Sequence, residues 1–267
     1  MLAKAKSPPI IEIERKKLFK RRLKLISLIF FLILLLVFAI YAVLFSGLFV
    51  VQAIEVNGNE SASNDEIIEV AKEAALRNKW FYELAGSKNI LFWKDIYLTE
   101  LPRSLPQISS IRVKKSLGDN KIIIDVVERN KFAIWCEEDC FWMDEQGVVF
   151  AEAPETQGAI INIVRVSSER KLSFGDKPIP QTETQVFAEI INFLDEAGLA
   201  VADMKIEDLR FQEINVEVLN GPEIKFSLGI NPFFGRTVVE SLRKSGNWEK
   251  IEYLDLRVDG RAYYKLK

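Results

Sequence analysis

Polar and apolar positions along this chain fall into three regimes. The first is an uninterrupted apolar run. From Leu25 to Ile54 there are 30 residues without a charge, densest between Ile26 and Val43. At about 1.5 Å per residue a helix over that dense part spans roughly 27 Å, close to the hydrocarbon thickness of a bilayer. Core helices rarely lack a polar face for so long, so a transmembrane helix is predicted over 25–48. The second regime, 49–128, mixes periods. Phe49–Val56 is a β-branched run that ends in the turn signal Asn57-Gly58-Asn59. Ser63 to Glu66 has the spacing of a capping box, and Ile67, Ile68, Ala71, Ala74 and Ala75 follow at helical spacing, predicting a helix over 64–77. A second helix is expected at about Lys94–Ser104, where Ile96, Leu98 and Leu101 recur and Pro102 and Pro106 limit the end. Ile108–Leu117 and Lys121–Glu128 alternate around Gly118-Asp119-Asn120, the pattern of a hairpin.

The third regime, from Arg129 onward, is a series of short strands. They are predicted at 132–136, 140–144, 148–150, 160–166, 205–211, 214–219, 223–228, 251–258 and 261–266. Helices at Thr184–Ala197, closed by Gly198, and Phe234–Lys244, before Gly246, interrupt them. The expected fold class is α+β: a single transmembrane helix, a small β-α-α-β-β layer domain, then a strand-rich domain with two helices. The expected boundaries are 1–24, 25–48, 49–128 and 129–267. Trp80, Phe81 and Tyr82 admit three readings, namely packing between layers, a belt near the bilayer, or a partner patch; packing is favoured.

Charge gives the predicted span a direction. Residues 1–24 carry nine basic and two acidic side chains, and the first charge beyond the run is Glu55. Short basic flanks stay cytoplasmic, which puts the N-terminus inside and the rest outside. The long charged flank, the length of the apolar run and the lack of a small-x-small site favour an uncleaved anchor over a cleaved signal. The basic tail suits anionic lipid at the inner leaflet. Beyond it acidic residues outnumber basic ones by nine. That balance argues against nucleic acid as a partner, because phosphate neutralisation needs clustered Lys and Arg.

Composition also removes chemistry. The chain has no histidine, which excludes Ser–His–Asp catalysis and a His-activated cysteine, and leaves too few ligands for a structural zinc. No phosphate-binding glycine loop is present. No catalytic residue, metal or cofactor is expected. The two cysteines, Cys136 and Cys140, flank a predicted turn at Glu137–Asp139. A cross-turn disulfide and two free thiols are both open there. The three acidic turn residues read as a solvated turn.

Taken in order, the motifs resemble the FtsQ/DivIB family of bacterial cell-division membrane proteins over nearly the whole chain. They are Val51-Gln-Ala-Ile-Glu-Val-Asn-Gly58 behind one span, Leu105–Leu117 leading into Ile122–Arg129, and Ala133-Ile-Trp135. Met143–Phe150 comes next, and then Tyr253–Val258 with Gly260 and Tyr263-Tyr-Lys265. Lys131 stands where that family usually has a proline. The resemblance implies a POTRA domain over 49–128 and a family β-domain over 129–267. It also implies a plasma-membrane location at the division septum. The implied role is a non-enzymatic scaffold that regulates septal peptidoglycan synthesis, with FtsB/DivIC-type and FtsL-type bitopic proteins as partners and septal synthase components beyond them. By position it assigns partner contacts to Arg257, Asp259, Tyr263 and Tyr264, with an extended partner segment pairing along the closing hairpin. The alternative reading is a POTRA-containing envelope transport or assembly module.

Overall fold

The structure, a computed structural model, describes residues 9–45, 47–76, 88–154, 161–168 and 170–267. Helix α1 (Pro9–Phe45) takes in the basic flank and the apolar run together. Its span Arg15–Leu44 is long and apolar enough to cross a bilayer, and none of that apolar stretch is buried by protein. Leu25, Phe30 and Phe38 are 60%, 66% and 68% exposed. A helix apolar all round and covered by nothing is not a core helix.

The last carbonyls of α1 have no partner within the helix. The amide of Asn89 supplies one, donating to the carbonyls of Val43 (3.1 Å) and Leu44 (3.4 Å). Its own oxygen accepts from the Leu91 N–H and starts a single 3₁₀ turn at Ile90–Phe92. One buried side chain thus ends one helix and begins another. Nearby, the Val51 N–H donates to the Lys88 carbonyl.

By contact the chain divides into two compact units. The small one comprises Met1–Val56, Ile68–Ile96 and Arg112–Ile124; the large one comprises Asn57–Ile67, Tyr97–Ile111 and Asp125–Lys267. A four-stranded sheet consists of β1 (Ala53–Asn57), β2 (Ile96–Leu98), β3 (Ile108–Ser116) and β4 (Lys121–Glu128), ordered β1-β4-β3-β2. Helix α2 (Asn64–Ala75) lies where the apolar spacing predicted it and buries Ile67, Ala71 and Ala75, four residues apart. The turn between β3 and β4 places Asn120 at φ 53°, a left-handed conformation that Asn tolerates.

The helix expected at 94–104 is absent. Ile96 to Leu98 forms strand β2, with Tyr97 exposed between two half-buried neighbours, and the chain beyond it turns at Pro102 and Pro106. Two prolines in five residues remove the donors a helix would need, and a period of two wins over a marginal period of 3.6. Trp80, Phe81 and Tyr82 lie outside the described residues, as does Ile160.

The large unit holds a nine-stranded mixed sheet. Its members are β5 (Ala133–Cys136), β6 (Cys140–Met143), β7 (Val149–Glu152), β8 (Ile163–Val166) and β9 (Val201–Ile206). The rest are β10 (Glu213–Val218), β11 (Glu223–Ser227), β12 (Ile251–Val258) and β13 (Arg261–Leu266). The order is β13-β12-β11-β10-β9-β8-β5-β6-β7. Parallel joins at β8–β9 and β11–β12 need long crossovers, and the chain provides each with a helix: α3 (Gln181–Glu196) and α4 (Gly235–Lys244). Cys136 and Cys140 are opposite each other in the β5–β6 hairpin and form a disulfide. The strand expected at 205–211 instead runs over Val201–Ile206. Asp208 accepts from the Arg210 N–H and turns the chain into a 3₁₀ segment at Leu209–Phe211.

Helix α3 buries Thr184, Phe187, Ile190, Ile191, Phe193 and Leu194. These pack in one core with Met204, Ile214, Val216, Ile224, Phe226 and Leu254 of the sheet. Phe193 meets Phe226 edge to face, and Phe187 meets Trp135 in the same manner. The alternate positions of the central strands carry charge: Asp203 and Lys205, Glu213 and Glu217, Glu223 and Lys225, Asp255 and Arg257. They pair across strands, as in Lys205–Glu217 at 2.8 Å. One face is therefore core and the other a charge ladder.

Phe187→Ala is expected to lower unfolding free energy by about 3–5 kcal/mol through the cavity left at the helix–sheet junction. Exposed Thr182→Ala on the same helix is expected to change it by no more than about 0.5 kcal/mol. Denaturant unfolding of the detergent-solubilised chain reads both; equal effects would refute this placement of the core.

Candidate functional site

All four partner-contact positions named from sequence fall on one hairpin. β12 and β13 are antiparallel, joined through Asp259 and Gly260, with Gly260 at φ 64°. β13 is the outermost strand, and among the described residues no strand pairs with its outer side. Such an edge presents unpaired backbone donors and acceptors. Most of its side chains are open to solvent: Tyr263 is 51%, Tyr264 54% and Leu266 54% exposed. Lys265, which pairs with Glu252 at 2.7 Å, is the only charge in the Ala262–Leu266 stretch.

The hairpin does not gather the four residues into one patch. Tyr263 is opposite Asp255, whereas Tyr264 is opposite Leu254. Directly opposed residues share a face. Leu254 is fully buried in the core, so Tyr264 lies on the helix-covered side and Tyr263 on the charged side. Asp259 is exposed in the turn.

Arg257 is committed within the molecule. Its guanidinium donates to both oxygens of Asp255 (2.9 and 2.6 Å) and to Glu213 (2.7 Å). The hydrogen bonds it donates to Asp255 hold the guanidinium above its ordinary range; burial opposes them and Glu213 adds to them. In return the Arg257 hydrogen bonds hold the Asp255 carboxyl below the usual carboxylate range, against burial, with the Arg257 N–H and the charges of Arg257 and Lys225 assisting. A partner carboxylate at Arg257 must therefore compete with two that are already in place. Sequence reasoning missed Asp255 and Glu213, and its only signal for Leu266 was the last apolar position of a strand.

The other motif residues that carry the family resemblance hold the fold. Burial alone would raise the Glu128 carboxyl, but hydrogen bonds from Ser61 and from the Glu60 and Ala62 N–H groups outweigh it and hold it low. Arg129 donates to the Pro106 carbonyl and to Asp144, which is almost fully buried. Asp144 in turn accepts from the Gln146 and Val148 N–H groups. Gly147, at φ 76°, has no room for a Cβ, which would lie 2.6 Å from the Thr184 hydroxyl. Glu137, in the acidic turn, accepts from the Trp135 indole (3.0 Å) and from Arg170. It is a structural acceptor there. A cleft of about 670 Å³ in the large unit, lined in part by Arg103, Arg129 and Lys177, has its guanidiniums engaged by Asp176 and Asp144. Among the described residues no acidic or cysteine cluster is arranged to hold a metal ion.

Comparison with protein-family models finds no match, and neither does a search of curated proteins.

Asp144→Ala strands the Arg129 charge beneath the surface and is expected to cost about 3–5 kcal/mol of stability. An unfolding midpoint unchanged from wild type would show that the pair holds nothing. For Asp255 the folded carboxyl binds its proton more weakly than the unfolded one. Its stabilisation is complete above the ordinary aspartate value of about 4 and fades as pH falls through the lowered folded value. Asp255→Asn should be less stable than wild type at neutral pH, with the gap closing as acid is added. A gap constant with pH would rule out the ion pair as its source.

Proposed function

We propose that this protein is a bitopic scaffold of the bacterial division machinery, as its resemblance to the FtsQ/DivIB family implies. In this reading α1 is an uncleaved anchor in the plasma membrane, with its basic end in the cytoplasm and the remaining chain outside, concentrated at the septum. Residues 49–128 act as a POTRA domain and residues 129–267 as the family β-domain. The order β1, α2, β3, β4 supports the POTRA assignment; the second helix of that pattern does not lie at 94–104. The protein works by binding, not catalysis, and a chain with no histidine is consistent with that. Its partners are FtsB/DivIC-type and FtsL-type bitopic proteins, through which it regulates septal peptidoglycan synthesis.

One observation carries the binding mode. The sheet ends in a strand whose outer side has no paired strand among the described residues and whose Tyr263, Tyr264 and Leu266 are each more than half exposed. An extended partner segment adding to β13 would satisfy the backbone edge and cover those side chains. Tyr263 and Tyr264 would bracket the added strand from opposite faces, and Asp259 would meet its end at the turn. Arg257 contributes by ordering Asp255 and Glu213 along the neighbouring strands.

The test is binding of the full chain, in nanodiscs, to the FtsB/DivIC-type protein of the same cell. Tyr264→Asp combined with Leu266→Asp is expected to weaken Kd at least about tenfold, or about 1.4 kcal/mol. Phe211→Asp, at a side chain 69% exposed elsewhere in the large unit, is the control and should leave Kd unchanged. Wild-type affinity in the edge variant would sink the β13 site, and no binding by any variant would sink the partner assignment. Charge reversal at Arg257 is a poorer probe, because it would set three carboxylates together.

A further inference from the structure

We infer that the face of the small unit around the exit of α1 lies in the interfacial layer of the bilayer, and that Asn89 holds it there. This rests on α1 being a membrane anchor. The occupant of the face is lipid of the same membrane, because the face is continuous with the end of the span.

The hydrogen bonds give the placement. α1 ends at Phe45, and the Asn89 amide is bonded to the carbonyls of Val43 and Leu44. The backbone of 88–89 is therefore at the level of the last helical turn. It is fixed a second time, since Val50 bridges Asn89 and the Val51 N–H donates to the Lys88 carbonyl. A second remote segment is tied to the same place. The Asn120 side chain donates to the Leu48 carbonyl, and the Gln52 N–H donates to the Asn120 carbonyl. The β3–β4 turn is thus stitched to the residues immediately after the span.

Those segments expose four large apolar side chains, alongside the polar Gln52, Lys88 and Asp119. Leu48 is 74%, Leu117 55%, Val50 40% and Leu91 38% exposed. Leu117 opens a tight turn, a position where turn chemistry asks for no large apolar side chain. The headgroup layer is roughly 5–8 Å thick on each side of the hydrocarbon, and Leu48 is three residues beyond the end of α1. Side chains tied to that depth by hydrogen bonds of about 3 Å lie within the layer. Exposed Lys88, at the Asn89 junction, is placed to reach lipid phosphate with its ammonium while its stem stays apolar. An apolar rim with a cation beside it is the composition of a surface seated at a bilayer interface.

The experiment uses the full chain in nanodiscs, with a nitroxide on a cysteine substituted singly at 48, 91 or 117. Its depth is read from collision with oxygen against collision with a water-soluble nickel chelate. All three labels are expected to favour oxygen. Asn89→Ala should move the 91 label toward water and leave the 48 and 117 labels immersed, since 48 follows the span directly and 117 is held through Asn120. Immersion at 48 with 91 and 117 in water would overturn this inference and leave the anchor standing. All three in water would overturn the anchor as well. A label at 91 unmoved by Asn89→Ala would overturn the role given to Asn89.

Discussion

The packing of α3 on one face of the nine-stranded sheet is the constraint on which the rest of the large unit depends. Phe187, Ile190, Ile191 and Leu194 need an apolar surface, and the central strands supply it through every second residue. That leaves the alternate residues facing away, where only charge or polarity is tolerated. The ladder through Asp203, Lys205, Glu217, Lys225, Asp255 and Arg257 is this requirement met. Individual pairs in it are partly exposed and worth little. Their joint effect is to keep the register of the sheet, because a slip by one residue would drive charge into the core.

The same packing decides which part of the sheet is left open. α3 and α4 are the crossovers of two parallel joins, and β12 is covered, with Leu256 against Gly235 of α4, whereas β13 beyond it buries no side chain fully. Among the described residues β13 has one neighbouring strand; none of its side chains is fully buried, and its charges, Arg261 and Lys265, stand near its two ends. Edges are normally blunted by bulges, charges or covering loops. Here the register shifts twice between β12 and β13, yet two tyrosines and a leucine stay exposed.

In the small unit the governing problem is the end of α1. The last carbonyls of a helix have no partner within it and must be satisfied from elsewhere. Asn89 does this from 46 residues downstream. A local cap would only end the helix, whereas a distant one also fixes the chain that emerges from it. Helix end, 3₁₀ turn and the β3–β4 turn become one hydrogen-bonded assembly.

The sequence by itself determined the elements whose pattern is local. The apolar run of α1, the spacing of α2, the alternation of β3, β4, β12 and β13 and the glycine-closed α3 are each set by neighbours within a few residues, so the periods could be read directly. The choice of the four candidate residues came from the family resemblance, not from that alternation. Only the tertiary structure decided the rest. Residues 94–104 carry helical spacing, yet prolines and an open position beside β3 made Ile96–Leu98 a strand. The commitment of Arg257 to Glu213 joins residues 44 positions apart, and the pairing of Arg129 with Asp144 depends on two strands meeting. Asn89, which follows Ser87 and Lys88 and precedes Ile90, gives no sign in the chain of the helix end it caps. Such contacts are fixed by which strands become neighbours, and that is decided by burial summed over the whole core, which no local window of sequence contains.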